Sequence, residues 1–507
     1  MITILHIIDS LSGAGPARSL LSIAKYAAEQ KLAQQHRVVT LQSRSYPVTL
    51  LNAAKAGITV LRKPDRETLT AELKQADIVQ VHFWNNPDMY EFLRSDLPET
   101  RLLIWFKILG DHPPQMITPE LAGFPDFALG TSPYTLELPV FQMQDGTQRN
   151  QKKYFIYGIA DWDRLKNLKP RSHNYFNVGY IGTVNFSKMH PDFIPLSIGI
   201  SIPDSRFIVC GGINETLQKQ AAEQGVSEKF DFRGYVEKIE PVLEILDVFG
   251  YPLCEDTYAT SEKSLQEAMY AGVPPVVFPH GGCPDLVEHE QTGMVAGSKV
   301  EYQQAIEYLY HHPEFRRKLG QNAADYARIV FDSRSAVIQM HNVYEKMMKH
   351  PKRKRRWYNT MEKQELSPSR HFVQSLGTAA QHFNISLNSD DPDRLLDADR
   401  VIMNSSALLA EGEGGIFQYR NYYQNDPYLR LWTGLILQKK QRHKTALAEF
   451  DAAIHLGFSH WRVYWYQAGS FIETGDLTEA RKALTLVMAT APAFSEAKDL
   501  FSALPKP

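Results

Sequence analysis

The sequence predicts two α/β domains followed by an all-α domain of helical repeats. Short, continuously apolar runs alternate with amphipathic stretches as far as residue 349, and this alternation starts afresh after a polar, proline-containing stretch at 164–174. Small residues recur at a spacing of 34 positions near the C-terminus. Buried apolar strands separated by helices are typical of a parallel, doubly wound sheet. A chain of 507 residues is also too long for one hydrophobic core.

The first two domains are predicted at residues 1–170 and 171–349. In the first, a helix is expected at 16–30, and the predicted strands are 2–8, 38–41, 78–83, 102–108, 127–130 and 154–159. In the second, the predicted strands are 178–181, 207–210, 230–234, 248–253 and 275–278. Two similar halves imply a cleft between them, and ligands of such sheets bind at the carboxyl ends of the strands.

A polar stretch at 350–395 is interpreted as a linker that can include some helix, and it contains the basic run Pro-Lys-Arg-Lys-Arg-Arg at 351–356. Such a run can contact acidic lipid or nucleic acid, or act as a localisation signal. The favoured interpretation is a solvated charge cluster at a domain boundary, where runs of this kind are common.

Residues 396–507 carry the repeat. The matched pairs, each separated by 34 positions, are Gly434 and Ala468, Ala446 and Ala480, Ala453 and Val487, and Phe450 and Leu484. This period and these small residues resemble tetratricopeptide repeats, in which small side chains let paired helices pack closely. The resemblance implies a protein partner for this domain. A generic helical tail is the alternative.

Composition limits the remaining classes. The net charge of −2 predicts no attraction of the whole molecule to nucleic acid. Three cysteines cannot form a disulfide framework, and no stretch approaches the ~20 apolar residues needed to span a bilayer. We therefore expect a cytoplasmic protein, with peripheral membrane contact left open.

The stretch 258–277 is the most informative for chemistry. A helix is expected to start near Glu262, capped by Thr260 or Ser261, so that its free N–H groups and its dipole form a site suited to a diphosphate. Ser264 and Glu267 are three positions apart and lie on one helix face. Leu265, Ala268 and Met269 supply the opposite, core-facing side.

The run Glu267-Ala-Met-x-x-Gly-x-Pro-x-Val-Val, followed by Gly281-Gly282, resembles the donor-binding region of retaining family-4 glycosyltransferases. Their GT-B fold has two Rossmann-like domains that face each other across a cleft. The resemblance implies that Glu267 hydrogen-bonds the ribose of a nucleotide sugar. The family carries another glutamate eight positions earlier, where this chain has Ala259. Either Glu262 or the hydroxyls at 260 and 261 take over its role, or activity is weak or lost.

The resemblance extends over residues 1–350. The stretch 178–188 resembles the family's strand, glycine loop and phosphate-binding basic pair, with Gly182 in the loop. Lys188 matches the family lysine, and Asn185 stands where an arginine is expected. The stretch 232–236 resembles the strand whose backbone flanks the base, which implicates Tyr235 and Val236.

Three residues of the first domain complete the predicted site. Gly13 and Gly15 lie between the first strand and the first helix, where glycines let the backbone approach the donor phosphates. His82 ends a predicted strand, and the resemblance implies contact with the donor sugar; a structural histidine is the alternative. We therefore predict a catalytic group of three residues, which are His82, Lys188 and Glu262. The predicted donor-binding set is Gly13, Gly15, Gly182, Asn185, Lys188, Tyr235, Val236, Ser261, Ser264, Leu265 and Glu267.

The implied reaction is metal-independent hexosyl transfer with retention, from a nucleotide-diphosphate sugar to a saccharide, lipid or protein acceptor. No metal-binding motif occurs, and no cofactor is expected beyond the donor as co-substrate. A nicotinamide or flavin enzyme is disfavoured because Arg18 replaces the third glycine of the dinucleotide fingerprint. Two alternatives stay open. One is a non-catalytic scaffold with a degenerate transferase domain, and the other is a nucleotide-sugar epimerase on the same fold.

Overall fold

The computed structural model describes residues 1–12, 15–142, 152–212, 215–357 and 366–505. The chain divides into two compact units. Met1–Trp84 and Glu91–Tyr358 form the first, and Asn85–Tyr90 and Asn359–Pro507 form the second. The first unit contains two parallel sheets with helices, and the second is helical over its described residues. The predicted fold class is thereby confirmed.

The first parallel sheet has seven strands over the described residues, in the order β3-β2-β1-β4-β5-β8-β9. The strands of this half, including a short β6–β7 hairpin, are β1 Ile2–Ile8, β2 Gln34–Thr40, β3 Thr59–Arg62, β4 Ile78–Phe83, β5 Leu102–Phe106, β6 Asp111–His112, β7 Gln115–Met116, β8 Phe127–Gly130 and β9 Lys152–Phe155. The sheet order changes direction between β1 and β4, which pair in parallel from Ile4 against Ile78.

The second parallel sheet has six strands over the described residues, in the order β12-β11-β10-β13-β14-β15. The strands are β10 Phe176–Ile181, β11 Ser205–Cys210, β12 Phe230–Gly234, β13 Val248–Tyr251, β14 Pro275–Val277 and β15 Met294–Val295. Its order changes direction between β10 and β13. Such switch points leave a crevice at the carboxyl ends of the strands, where ligands of α/β sheets bind.

Helices follow the strands in both halves. In chain order they are α1 Gly15–Glu29, α2 Pro47–Lys55, α3 Arg66–Gln75, α4 Pro87–Arg94, α5 Pro119–Gly123, α6 Pro133–Glu137, α7 Pro139–Gln142, α8 Phe193–Ile198, α9 Glu215–Glu223, α10 Glu240–Leu243, α11 Lys263–Tyr270, α12 Cys283–Leu286, α13 Lys299–His311, α14 Pro313–Val330 and α15 Ser333–Met348. The last of these, α15, packs on the first sheet. Its Val337, Met340 and Tyr344 are buried in the same hydrophobic cluster as Ile4 and Trp105.

The basic run at 351–356 is held against the first sheet by ion pairs. Arg353 and Arg355 both pair with Asp126, which precedes β8, and Lys354 pairs with Asp96 at 2.6 Å. Arg355 is buried and also donates to the carbonyl of Thr100 at 2.9 Å. The run is therefore fixed to the first half of this unit by its side chains, and the solvated cluster favoured from the sequence is wrong for Arg355.

The second unit contains α16 Pro368–Leu376, α17 Gln381–Asn388, α18 Pro392–Met403, α19 Ala407–Glu411, α20 Ile416–Tyr422, α21 Pro427–Lys439, α22 His443–His455, α23 Trp461–Glu473, α24 Leu477–Thr490 and α25 Ser495–Ala503. Helices α16 and α17 lie inside the stretch interpreted as a linker. Although this stretch is polar overall, Phe372 and Phe383 are buried in the core of the unit. A few large aromatic side chains are sufficient to anchor helices whose other faces are polar.

The spacing of 34 residues separates corresponding helices, because α21 and α23 start at Pro427 and Trp461. The small residues of the repeat are the packing residues. A Cβ added to Gly434 would lie 2.4 Å from the Phe450 ring, so this glycine allows α21 and α22 to approach each other. Ala446, Ala468 and Ala480 are fully buried.

Candidate functional site

The candidate site lies where the carboxyl ends of β10 and β13 meet. The loop that follows β10 carries Gly182 to Lys188, and the loop that follows β13 leads into α11. These strands are direct neighbours, with Val178 opposite Val248. Most of the residues predicted in the second domain therefore converge at the switch point of its sheet.

Lys188 and Glu262 form a buried ion pair at this edge. Lys188 Nζ lies 2.6 Å from Glu262 Oε2, and the two side chains are 11% and 10% exposed. Tyr251, the last residue of β13, donates its hydroxyl to the same carboxylate oxygen at 2.7 Å. Burial acts to lower the pKa of Lys188, but the charges of Glu262 and Tyr258 outweigh it and raise that pKa. The lysine is therefore held in its charged form.

The turn before Lys188 is fixed by Asn185. Its Oδ1 accepts hydrogen bonds from the backbone N of Ser187 at 3.2 Å and from the hydroxyl of Ser187 at 2.5 Å. Its own carbonyl accepts from Met189 N at 2.8 Å. The side chain that replaces the expected arginine thus closes the turn that presents Lys188. A Cβ on the neighbouring Gly211 would lie 2.0 Å from the Gly182 carbonyl, so this glycine is required by close packing beneath the loop.

Glu267 is bound by two arginines. It is 1% exposed, and its Oε1 accepts hydrogen bonds from Arg18 on α1 and from Arg164 between the two sheets. The charge of Glu267 raises the pKa of Arg18 against the effect of burial. The predicted ribose-binding carboxylate therefore lies in a cationic environment that belongs to both halves.

The start of α11 departs from the sequence prediction. The helix begins at Lys263, Glu262 is its N-cap, and no side chain caps it. Capping by Thr260 or Ser261 is wrong because both hydroxyls bond elsewhere. Ser261 Oγ accepts from Gly158 N at 2.7 Å, and Thr260 Oγ1 lies 2.9 Å from Thr131 Oγ1. These two side chains connect the second half to the ends of the first sheet.

Ser264 and Leu265 lie on different faces of α11. Ser264 is partly exposed in the first turn of the helix. The Leu265 side chain is 0% exposed and belongs to the core of the second half, together with Ala268 and Met269. Its side chain is therefore unavailable to a donor. Gly272 ends the helix with a φ of +81°, a conformation that favours glycine.

In the first half, Gly13 lies outside the described residues, and Gly15 is the first residue of α1. The carbonyl of Gly15 accepts a hydrogen bond from Lys263, so this loop contacts the start of α11. His82 is buried in β4, where its Nε2 lies 3.0 Å from Nδ1 of His6. Burial, together with His6, Lys107 and Lys263, lowers the pKa of His82 well below its ordinary value.

A small pocket of about 160 Å³ lies at the carboxyl ends of β11 and β12. Its lining residues are Val184, Val209, Gly212, Gln218, Phe232, Arg233 and Gly234. Tyr235 follows β12 and is 71% exposed, while Val236 packs partly buried against the core. The pocket shares Val184 with the loop that carries Lys188.

Four basic residues of the site were missed from the sequence, and they are Arg18, Lys107, Arg164 and Lys263. Arg18 was considered only as a departure from a dinucleotide fingerprint, and Arg164 lies in the polar stretch between domains. Lys107 directly follows a buried strand and Lys263 opens an otherwise apolar helix face. A charged residue at the end of a buried strand was the available signal.

No group of three or more His, Cys, Asp or Glu side chains is placed to hold a metal ion within the described part of the chain. Across the same residues, no helix is both long enough and apolar enough to span a bilayer.

Residues 163–326 match the family model described as "Glycosyl transferases group 1". A relative named "Putative glycosyltransferase EpsD", from Bacillus subtilis (strain 168), is 25% identical over 205 residues, covering 39% of this chain and 53% of EpsD. The matched part therefore spans about half the length of that relative.

Two solved structures show the same fold as the first unit. Anabaena Alr3699/HepE in complex with UDP has a TM-score of 0.55 at 16% identity, covering 68% of this chain and all of that one. A glycosyltransferase from Rickettsia africae has a TM-score of 0.56 at 14% identity, covering 69% and 99%. The two-sheet part of the chain has the GT-B fold. Together with the family match, this supports a glycosyltransferase.

Proposed function

We propose that this protein is a glycosyltransferase that moves a hexose from a nucleotide-diphosphate sugar to an acceptor, with retention of configuration and without a metal. The observation that carries the proposal is the buried pair of Lys188 and Glu262 at the carboxyl edge of the second sheet. This pair, and Glu267 on the adjoining helix α11, lie inside the stretch that matches the family. A charged lysine at that edge suits a diphosphate leaving group.

In this mechanism Lys188 stabilises the negative charge that develops on the departing diphosphate. Its ammonium is kept charged by Glu262, so no proton has to be supplied when the donor binds. The bond between the anomeric carbon and the phosphate oxygen breaks as the acceptor oxygen approaches from the same face. The acceptor's proton passes to the leaving phosphate, which is why the reaction needs no separate base.

We further propose uridine diphosphate as the nucleotide. HepE, which has the same fold, was solved in complex with UDP and with UDP-glucose. The pocket beside β11 and β12 would take the base, with Tyr235 and Val236 at its edge, and Glu267 would bind the ribose. Because Arg18 and Arg164 occupy one oxygen of Glu267, donor binding would have to share or displace these contacts.

The remaining assignments are also proposals. Membership of the retaining family 4 rests on the motif at 267–277 and on Lys188. A protein-binding role for the second unit rests on the helix pairs spaced by 34 residues. A cytoplasmic location, a saccharide, lipid or protein acceptor, and a protein partner on the repeats agree with the composition and fold.

A non-catalytic nucleotide-sugar-binding scaffold is the second candidate. It is favoured by Ala259 in place of a family glutamate and by Asn185, whose side chain is used inside its own turn. Binding of UDP, together with no sugar transfer from any donor, would support this candidate.

The proposal is tested with a thermal-shift screen of the full chain against UDP-, GDP- and ADP-sugars. A ligand that binds only the folded state stabilises it by about 2.7 kcal/mol at 100 times its Kd. We expect a rise in Tm with UDP-sugars, a smaller rise in Glu267→Ala, and an unchanged rise in the exposed control Lys318→Met. Absence of any shift at millimolar ligand would contradict the proposal.

A further inference from the structure

Lys188 is not the only buried basic residue of the described chain. Other basic side chains are buried at the carboxyl ends of the strands of the first sheet. His82 lies at the end of β4, Lys107 directly follows β5, and Lys263 reaches in from α11. These side chains are only 1%, 7% and 9% exposed. We call this group the basic subsite. Buried cations are normally paired with carboxylates, because removing a charge from water is costly.

Lys107 has no such pairing. Its backbone N donates to the carbonyl of Phe83 at 3.1 Å, which places Lys107 beside the end of β4. Its ammonium lies over the ring of Trp105, and Nζ has no hydrogen-bond acceptor among the described residues. Apart from this contact with the ring, none of its N–H donors is satisfied by a hydrogen bond to a described residue. Burial and then Lys263 lower the pKa of Lys107 well below its ordinary value.

Lys263 faces the same region from the second half. Its Nζ donates to the carbonyl of Gly15 and to the hydroxyl of Ser19 at 2.6 Å. Two of its three N–H groups are therefore used within the described structure, and one is left. Thr260, three residues earlier, contacts Thr131, whose hydroxyl donates to the carbonyl of Phe106 at 3.1 Å. Since Lys107 follows Phe106, these contacts bring the start of α11 close to the end of β5, and the charge of Lys263 acts on Lys107 to lower its pKa.

His82 ends a buried chain of histidines. Nδ1 of His6 lies 3.0 Å from Nε2 of His82, and Nε2 of His6 lies 2.9 Å from Nδ1 of His36. The outer atoms of the chain, His82 Nδ1 and His36 Nε2, have no hydrogen-bond partner among the described residues. Three neutral imidazoles carry three N–H groups in total, and two of these donate the two hydrogen bonds between the rings. The third therefore lies on either outer atom, and an anion next to His82 selects the tautomer with Nδ1–H on His82.

We propose that His82, Lys107 and Lys263 form a subsite that binds an anionic group, a carboxylate or a phosphate, of a substrate held in the cleft. This proposal deepens the glycosyltransferase function proposed above and rests on it, because the substrate is a donor or acceptor of that reaction. The anion satisfies the unpaired N–H groups of both lysines and of His82. The anionic group belongs either to a uronic acid of the donor or to a phosphorylated acceptor.

Calorimetric titration of the full chain distinguishes the two sources. In the donor arm, UDP, UDP-glucose and UDP-glucuronate are titrated separately. In the acceptor arm, UDP-saturated protein is titrated with glucose 6-phosphate and with glucose. Because each charged hydrogen bond contributes to affinity, we expect one arm to prefer its anionic ligand by about tenfold to a hundredfold in Kd.

Substitutions assign that preference to the subsite. It should disappear in Lys107→Met and persist in Lys107→Arg and in the exposed control Lys318→Met. Lys263→Met should weaken it as well, and this variant carries the test if Lys107→Met does not fold. No anionic preference in either arm, or an equal preference in Lys107→Met, overturns the subsite. A protein that binds no UDP contradicts the proposed function, whereas glucose 6-phosphate binding that depends on Lys107 still supports the subsite.

Discussion

Removal of either partner of the Lys188–Glu262 pair should destabilise the first unit strongly. The two side chains are 11% and 10% exposed, so loss of one partner leaves a buried charge without its counterion. Such a loss costs about 3–5 kcal/mol in the free energy of unfolding. We expect this cost in Lys188→Met and in Glu262→Gln. In Glu262→Gln, the amide oxygen still accepts the hydrogen bond of Tyr251, which isolates the effect of the charge.

The double variant Lys188→Met/Glu262→Gln separates the pair from its surroundings. It removes both charges together, so its cost should be smaller than the sum of the single costs by about 1–3 kcal/mol. Urea unfolding followed by fluorescence and circular dichroism measures all four proteins. The exposed pair Lys482–Glu479, also 2.6 Å apart, is the matched control, and its coupling should be below about 1 kcal/mol.

Turnover should respond differently from stability. If Lys188 stabilises the leaving diphosphate, then Lys188→Met and the double variant should both lose about a hundredfold to a thousandfold in kcat. Stability is partly restored in the double variant, but activity is not. Additive destabilisation in the double variant would contradict the coupling of the two charges. Recovery of turnover together with stability would contradict the role of Lys188 at the leaving diphosphate.

Three further predictions concern other parts of the chain. Glu267→Ala should weaken UDP binding by about tenfold or more, measured by calorimetry, because a charged hydrogen bond to the ribose is lost. Gly434→Ala should lower the free energy of unfolding by about 1–3 kcal/mol in thermal unfolding, since its Cβ would lie 2.4 Å from Phe450. Gly469→Ala is the control and should be neutral, because its Cβ would meet only the end of a glutamine side chain at 3.2 Å. Burial lowers the pKa of His36 to about 4. Its contribution to the free energy of unfolding is therefore present above pH 6.5 and is lost as the pH falls, and the loss amounts to about 3 kcal/mol at pH 4. Urea unfolding at pH 7 and pH 4 should show that a His36→Gln variant loses less stability than the wild type.

The architecture was predictable because its signals are local. The predicted strands 78–83 and 230–234 coincide with β4 and β12. Every residue of β4 is buried, as expected of a central strand enclosed on both faces. The strand β3 at Thr59–Arg62 was missed because none of its residues is fully buried. Helices α16 and α17 were not located individually, because only a few aromatic residues anchor them in an otherwise polar stretch.

The site was only partly predictable because its remaining contacts are long-range. Lys188, Glu262 and Glu267 could be located from the motif and from the rule that ligands bind at the ends of parallel strands. The contacts of Lys263 with Gly15 and of Glu267 with Arg18 join residues about 250 positions apart. The same contacts across the two halves explain why Ser261 bonds Gly158 instead of capping its own helix.

Release of UDP from UDP-sugars by the full chain shows whether the protein is a glycosyltransferase that uses Lys188. The measurement compares the wild type with Lys188→Ala for each donor that binds, in the presence of saccharide, lipid and peptide acceptors. We expect release that depends on the acceptor in the wild type and falls by about a hundredfold or more in Lys188→Ala. Release no faster in the wild type than in Lys188→Ala, with every donor that binds, would contradict it.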